Sequence, residues 1–263
     1  YEPEVHDDLF LLLSTSGTTG SPKLVRLSRQ NVISNTDAIS EYLEIDEKER
    51  AIATMPTSYS YGLSVIHTHL RQGASIIVPQ STVVEKKFWN LLKKEKATSF
   101  SGVPYVYETL DKIRFYGQDL PDLKYLTQAG GSLKPELNRK MVRYCKETGK
   151  RYFTMYGQTE ASPRMSFVPW EYAREKTGSI GKAILGGSFW LENQNKEIVK
   201  QCNEIGELIY KGDNVMLGYA KSRKDLSYGD ECSSILRTGD LAYRDSDGFY
   251  YIVGRTNRMA KIL

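Results

Sequence analysis

The first two thirds of the chain alternate short apolar runs with amphipathic stretches, and this alternation constrains the fold most. The run Ala74-Ser-Ile-Ile-Val78 predicts a buried strand, and the next stretch places Phe88, Leu91 and Leu92 on one face of a helix. Repeated strand-then-helix units are typical of a parallel sheet covered on both faces. Strands are predicted at 9–13, 51–55, 74–78, 99–103, 125–129 and 152–156, and helices at 28–42, 63–71, 85–95, 105–115 and 135–146. We therefore expect an α/β fold of mostly parallel sheets flanked by helices.

The pattern changes at about Gly178. Short strand-like runs then follow one another between Gly, Asn and Asp turns, which is typical of a smaller β-rich subdomain, expected here as a distorted barrel. These strands are predicted at 188–191, 206–210, 240–243 and 249–253. The expected organisation is an α/β core over 1–177, the β-rich subdomain over 178–253 and a final segment over 254–263.

Composition excludes several classes of protein. The 263 residues carry 36 Lys and Arg against 32 Asp and Glu, a net charge of +4 that is too mild to indicate nucleic-acid binding. The apolar run at 9–13 is too short for a membrane span and lacks the flanks of a signal peptide. Cys145, Cys202 and Cys232 are odd in number without CxxC spacing, which favours reduced thiols in a cytoplasmic protein.

Glycine turns follow several predicted strands, and parallel sheets place ligand sites at the carboxyl ends of their strands. The most specific sequence pattern among these turns is Ser14-Thr-Ser-Gly-Thr-Thr-Gly-Ser-Pro-Lys23. Its glycines let backbone N–H groups approach phosphate oxygens, its hydroxyls add donors, and its lysine adds charge. The GK[ST] ending of a Walker A loop is absent. A plain surface turn is the alternative interpretation of such a loop taken alone.

The loop resembles that of the adenylate-forming enzymes, which include acyl-CoA synthetases, peptide-synthetase adenylation domains and luciferases. Residues 15–23 match the family pattern T-S-G-[S/T]-T-G-x-P-K, although Leu24 replaces the usual following glycine. The fold expected from this resemblance is the large N-terminal domain of such an enzyme. The resemblance assigns ATP phosphate binding to Thr15, Ser16, Gly17, Thr18, Thr19, Gly20 and Lys23.

Further motifs of the family follow in order. The segment Tyr156-Gly157-Gln158-Thr159-Glu160 matches Y-G-x-T-E, in which the tyrosine stacks on adenine while the threonine and glutamate hold Mg²⁺. The turn Gly130-Gly131-Ser132 resembles the one that passes the adenine and the acyl group. Asp240 and Arg255 match the ribose-binding residues, and Asn257 lies at the family's hinge, where Asp or Lys is commoner. Taken singly, each motif is also compatible with an ordinary turn.

The residues predicted to contact the acyl group, called here the acyl-side residues, are indicated by weaker sequence patterns. The segment Pro56-Thr-Ser-Tyr-Ser-Tyr-Gly-Leu63 resembles the gate of the acyl tunnel, which indicates Tyr59 and Tyr61, and Gly102-Val-Pro104 resembles a turn of the acyl pocket. Core packing explains these residues equally well. A metal site at His67 and His69 is not expected, because residues i and i+2 of a helix face apart. No acidic residue lies between 54 and 80, which favours a simple carboxylic acid over an α-amino acid.

The resemblance implies an ATP-dependent ligase that requires Mg²⁺. A carboxylic acid would attack the α-phosphorus of ATP, pyrophosphate would leave, and a thiol would take the acyl group from the acyl-adenylate. The thiol would belong to coenzyme A or to the phosphopantetheine of an acyl or peptidyl carrier protein. We expect a core fragment without the small C-terminal domain and its catalytic lysine. One alternative is a non-catalytic AMP- or ATP-binding module of the same fold. The other is a P-loop hydrolase, although the absence of the GK[ST] ending argues against it.

Overall fold

A computed structural model describes residues 4–15 and 23–256 of the chain. Its helices are α1 (Arg29–Leu43), α2 (Ser60–Arg71), α3 (Lys86–Lys94), α4 (Pro104–Lys112) and α5 (Pro135–Glu147). Its strands are β1 (Leu9–Ser14), β2 (Leu24–Ser28), β3 (Arg50–Ile52), β4 (Ser75–Ile77), β5 (Ser99–Gly102), β6 (Tyr125–Gln128), β7 (Arg151–Gly157), β8 (Arg164–Val168), β9 (Lys182–Ala183), β10 (Ser188–Glu192), β11 (Gly206–Lys211), β12 (Gly218–Ala220), β13 (Ile235–Arg244) and β14 (Tyr250–Arg255). Each strand and helix predicted from the sequence overlaps one of these elements.

The largest sheet has seven strands in the order β4-β3-β5-β6-β7-β8-β9. The first five run parallel, whereas β8 and β9 join antiparallel at one edge. This arrangement confirms the predicted α/β class and its mostly parallel sheet. The carboxyl ends of the parallel strands share one edge, where the turns after β5, β6 and β7 come together.

Both faces of this sheet are covered, and alternate residues of one strand enter different cores. Leu126 of β6 packs with α3, α4 and α5, whereas its neighbour Tyr125 packs with α1 and α2. In β7, Tyr152 packs in the same core as Leu126, and Phe153 packs in the same core as Tyr125. Strands buried on two sides are expected in a parallel sheet between helical layers.

Helix α1 begins with a capping box. The Oγ atom of Ser28 accepts a hydrogen bond from the backbone N–H of Asn31 at 3.0 Å, and the Asn31 side chain accepts one from the Ser28 N–H at 2.8 Å. Two backbone donors at the helix start are thereby satisfied. Ser28 is therefore the N-cap of α1.

The later part of the chain is built from antiparallel strands. A four-stranded sheet has the order β10-β11-β13-β14, and β12 joins β1 and β2 in a separate three-stranded sheet. The expected distorted barrel is not present in the described residues, because β10 and β14 do not pair with each other and remain the two end strands of an open sheet. The domain division at 177/178 stays a prediction: β9 belongs to the seven-stranded sheet, and β12 pairs with β2.

Residues 4–15 and 23–256 contain no helix with both the length and the apolar character needed to cross a membrane.

Candidate functional site

Two clusters with a carboxylate at the centre lie near the carboxyl end of β7. Strand β7 ends at Gly157, and Gln158 leads into a short 3₁₀ turn over Thr159–Ala161. No side chain fits at Gly157, because a Cβ atom there would overlap the carbonyl oxygen of Pro163. The chain can turn this tightly between β7 and β8 only with glycine at that position.

The first cluster surrounds Asp240 of β13, which is 2% exposed. Its Oδ2 accepts a hydrogen bond from the Tyr156 hydroxyl at 2.5 Å and another from Gln158 Nε2 at 3.0 Å. Its Oδ1 accepts from Arg255 Nε at 2.7 Å. The Asp240 backbone N–H donates to Thr238 Oγ1 at 3.0 Å, which fixes the turn. The cluster thus joins β7 of the large sheet to β13 and β14 of the four-stranded sheet.

The charge of Asp240 affects both of its main partners. Burial raises the pKa of Tyr156 well above its ordinary value, and the nearby carboxylate raises it further. The same carboxylate raises the pKa of Arg255, whose side chain is 61% exposed. Tyr156 is therefore a neutral donor and Arg255 a permanent cation. A carboxylate with two well-placed oxygens can accept hydrogen bonds from a pair of neighbouring hydroxyls, as on a ribose.

The second cluster is centred on Glu160, in the 3₁₀ turn. Its Oε1 accepts a hydrogen bond from the Tyr219 hydroxyl at 2.8 Å, and its backbone carbonyl accepts one from the Met216 N–H. Burial and the Glu160 charge both raise the pKa of Tyr219, so this hydroxyl stays protonated as a donor. The Nζ atom of Lys23 lies 3.6 Å from the centroid of the Tyr219 ring. Glu160 and Lys23 thus flank the same tyrosine.

Thr159 and Glu160 fit a magnesium ion that also binds substrate phosphates. The Thr159 hydroxyl lies 3.1 Å from Ser60 Oγ, and Glu160 keeps one carboxylate oxygen clear of Tyr219. In residues 4–15 and 23–256 no group of three or more acidic, His or Cys side chains could hold a metal by itself. Mg²⁺ commonly binds through one or two carboxylates together with nucleotide phosphates, and these residues match that pattern.

The acyl-side residues meet at the turn after β6. Gly130 has a φ of +80°, and a Cβ atom there would press on the Tyr59 hydroxyl. A Cβ atom at Gly131 would lie 3.2 Å from Pro104 Cγ. The Gln128 side chain holds the turn by donating to the Gly131 carbonyl at 2.8 Å. The structure thus brings together residues that were predicted from two separate motifs.

The other acyl-side candidates lie deeper. Gly102 ends β5, and a Cβ atom there would sit 3.1 Å from both the Tyr107 ring and Val106 Cγ1. Tyr61 is 3% exposed, and its hydroxyl lies 2.7 Å from Thr127 Oγ1. Its ring packs edge-on against Tyr59, with 6.3 Å between centroids. Tyr61 is therefore part of the core and also lines a cavity behind the Tyr59 turn.

Part of the predicted site lies outside the described residues. Thr15 and Lys23 are described, whereas Ser16, Gly17, Thr18, Thr19 and Gly20 are not, and neither are Asn257 and Lys261. Ser132 is described as an exposed residue of the turn after Gly131.

Two residues of the clusters, Ser60 and Tyr219, were not predicted as site residues. Ser60 lies inside the segment 56–63, which the sequence analysis singled out for Tyr59 and Tyr61. Arg164, which follows Glu160 by four positions, is 2% exposed although it is charged. Sequence alone offers no signal that this arginine is buried.

A mixed sheet whose carboxyl edge gathers glycine turns and Glu160, with Lys23 and the buried Asp240 close by, defines an α/β protein suited to a phosphorylated ligand. The chain belongs to the AMP-binding enzyme family, whose family model matches residues 1–220. This match confirms the adenylate-forming superfamily that the motifs indicated.

The named relatives are acid–CoA ligases. The chain is 30% identical over 258 residues to an oxalate–CoA ligase of Arabidopsis thaliana, covering 96% of this chain and 49% of that protein. It is 30% identical over 260 residues to a long-chain-fatty-acid–CoA ligase of Bacillus subtilis, covering 94% of this chain and 44% of that protein. The chain thus spans about half the length of the curated relatives it matches.

Solved structures agree. The O-succinylbenzoate coenzyme A synthetase of Bacillus subtilis, in complex with AMP, superposes with a TM-score of 0.82 at 26% identity over 96% of this chain and 51% of that one. The same enzyme in complex with ATP and a magnesium ion gives a TM-score of 0.79 at 27% identity, over 94% of this chain and 50% of that one.

Proposed function

We propose that this chain carries the nucleotide and acid sites of an ATP-dependent acid–thiol ligase. The acid's carboxylate attacks the α-phosphorus of ATP, pyrophosphate leaves, and the acyl-adenylate then passes its acyl group to a thiol. The observation that carries the proposal is the pair of carboxylates, Asp240 and Glu160, held at one sheet edge by tyrosine hydroxyls. The relatives named for oxalate and for long-chain fatty acids support a small-molecule carboxylic acid as the substrate.

In this proposal Asp240 accepts hydrogen bonds from the ribose hydroxyls, and Arg255 holds that carboxylate in place. The Tyr156 ring provides a flat face for adenine, with Gly130 leaving room beside it. Residues 15–20 and Lys23 surround the phosphates. None of these groups forms a covalent bond with the substrate, so catalysis consists of positioning and of stabilising developing charge.

Thr159 and Glu160 would hold Mg²⁺ together with the phosphates. When bound, the ion neutralises charge on the phosphate oxygens as pyrophosphate leaves. Tyr219 keeps one oxygen of Glu160 occupied, so the other is directed to the ion. Ser60 orients the Thr159 hydroxyl from the start of α2.

The neighbour structures with AMP and with ATP and magnesium support these co-substrates, and the ligase relatives support coenzyme A as the acceptor. A carrier-protein phosphopantetheine stays an alternative acceptor. A lysine from beyond this chain as the group that completes adenylation, and a cytoplasmic location, also stay predictions.

The test is exchange of labelled pyrophosphate into ATP by the full-length protein, with a panel of carboxylic acids. Glu160→Gln keeps the shape of the side chain but loses its charge, and we expect exchange to fall by about 100-fold while AMP binding is kept. Glu147→Gln, at the exposed end of α5, is the matched control and should exchange normally. A wild-type protein that binds AMP but exchanges with no acid would instead support a non-catalytic nucleotide-binding module.

A further inference from the structure

A pocket of about 180 Å³ opens on the four-stranded sheet, beside its edge strand β10. The segment 198–200 runs along this edge, and the Val199 N–H donates a hydrogen bond to the Leu191 carbonyl at 2.8 Å. Arg244, the last residue of β13, and Tyr250, the first residue of β14, complete the lining. The pocket is partly open to solvent, so a small molecule can enter it.

This pocket is separate from the proposed nucleotide and acid sites. Arg244 follows Asp240 by four residues on β13, which corresponds to about 13 Å along an extended strand. None of the side chains that line the pocket was assigned to ATP, magnesium or the acid. A ligand in this pocket therefore lies outside the proposed reaction.

Most of the lining is apolar, and the volume limits the ligand to one ring. Phe189 and Tyr250 pack with 5.2 Å between their ring centroids, and Trp190 adds a third ring to the lining. An apolar cavity of about 150 Å³ holds benzene, whereas sites for drug-sized ligands span about 300–1,000 Å³. The pocket therefore fits a single ring with a small substituent and is too small for a nucleotide.

Two cations, Lys200 and Arg244, line the pocket together with these rings. Within the described part of the chain neither belongs to an ion pair, and no acidic side chain lines the pocket. Glu192, at the end of β10, is already paired with Arg237 and accepts a hydrogen bond from Trp190 Nε1 at 2.9 Å. The positive charge at the pocket is therefore complementary to an anionic ligand.

The position of Arg244 is fixed without neutralising its charge. Its guanidinium donates to the Tyr250 hydroxyl, which in turn donates to the Phe189 carbonyl at 3.0 Å. Its Nη2 also donates to the Lys200 carbonyl over a longer distance of 3.4 Å. Burial raises the pKa of Tyr250, and the Arg244 charge offsets part of this rise, so the hydroxyl is neutral. A guanidinium has five N–H donors, and these two contacts leave others for a ligand.

We propose that this pocket binds a carboxylate carried on a single aromatic ring, with benzoate as the simplest case. The ring packs among Phe189, Trp190 and Tyr250, and the carboxylate meets Lys200 and Arg244. Hydrogen bonds from a guanidinium to a carboxylate are about twice as strong as those between neutral groups. A neutral ring would lack these bonds, and a small anion without a ring would leave the apolar lining in water. The inference does not depend on the proposed function.

The experiment is calorimetric titration of the full-length protein with three probes, namely benzoate, benzamide and acetate. Benzamide has the shape of benzoate without its charge, and acetate has the charge without the ring. We expect benzoate to bind at least tenfold more tightly than either of the other two. No detectable binding of benzoate, or equal affinity for benzoate and one of the other probes, would overturn the inference.

Substitutions decide which site binds benzoate, since an aromatic acid can also enter the proposed acid site. Arg244→Met should weaken benzoate binding at least tenfold and leave benzamide binding within twofold. Arg139→Met, on the exposed face of α5, is the matched control and should change neither. Unchanged affinity and stoichiometry for benzoate in Arg244→Met would place the ligand elsewhere and would contradict the assignment of this pocket.

A second pair of variants decides the question if Arg244→Met does not fold, as judged by circular dichroism. Ile198 lines the pocket and is 62% exposed, so Ile198→Asp adds a negative charge beside the ligand carboxylate without disturbing the core. We expect this charge to weaken benzoate binding at least tenfold. Ile205→Asp places the same charge at an exposed position outside the pocket and should leave the affinity unchanged. Equal effects of the two substitutions would overturn the inference.

Discussion

Tyr219 shows how much of this site depends on single hydroxyl groups. It donates to Glu160 at 2.8 Å, and its ring lies beneath Lys23 Nζ. Strand β12, which carries Tyr219, pairs with β2, about 190 residues earlier in the chain. The contact of Tyr219 with Glu160 joins residues 59 positions apart. Local sequence patterns cannot reveal contacts over such separations.

Replacing Tyr219 with Phe should weaken binding of magnesium–ATP while leaving the fold intact. A hydrogen bond to a charged group contributes about 1.5 kcal/mol or more, so we expect KM for ATP to rise by about tenfold. Tyr243→Phe is the control, because Tyr243 stacks on Tyr251 and its hydroxyl has no hydrogen-bond partner in the described residues. An unchanged KM in the Tyr219 variant would show that Glu160 is oriented without this hydroxyl.

Among the elements, the antiparallel strands β2 and β8 were missed, whereas all five parallel strands of the large sheet were predicted. Both contain a buried arginine, Arg26 in Leu24–Ser28 and Arg164 in Arg164–Val168. A charged residue interrupts an apolar run, so a prediction from hydrophobic pattern treats the segment as a turn. The strands at 125–129 and 152–156 were found because they are buried on both faces. The sequence thus predicts the scaffold well and the charged interior poorly.

The contact between α1 and β8 depends on Asn35, which bonds to both the N–H and the carbonyl of Arg164. Asn35→Ala would leave the buried N–H unpaired, and we expect a loss of about 2–3 kcal/mol in the free energy of unfolding. Urea denaturation measures this loss. Asn90→Ala, at an exposed position of α3, should change stability by less than about 0.5 kcal/mol. Equal effects of the two substitutions would contradict the role of Asn35.

For the whole molecule, burial of weak acids makes stability depend on alkaline pH. Burial raises the pKa of Cys145 to about 12, and that of Tyr144 to about 12. In the unfolded chain these groups ionise near pH 8.5 and 10. The unfolded state therefore loses protons first, so the contribution of these two groups to stability is constant below about pH 8.5 and falls as the pH rises toward 12.

Between pH 8.5 and 9.5 the Cys145 thiol should contribute more than Tyr144 to this loss of stability. We expect the free energy of unfolding to fall by about 1 kcal/mol over that interval through Cys145 alone. Cys145→Ala should reduce the fall by this amount, whereas Cys202→Ala, at an exposed position, should retain it in full. Urea midpoints at several pH values provide the measurement. A fall of equal size in both variants would assign the effect to other groups.

The three-stranded sheet has a consequence for how the chain folds during its synthesis. Strand β2 is central, with β1 on one side and β12 on the other. β12 leaves the ribosome about 190 residues after β2, a delay of about 10–40 s at ordinary rates of translation. During that time one edge of β2 is open to pairing with other chains. We expect ribosome-arrested chains that stop before β12 to aggregate or bind chaperones more than chains extended past Glu231, the partner of Arg26. The pair β1–β2 therefore gains its third strand only after about 190 further residues have been made.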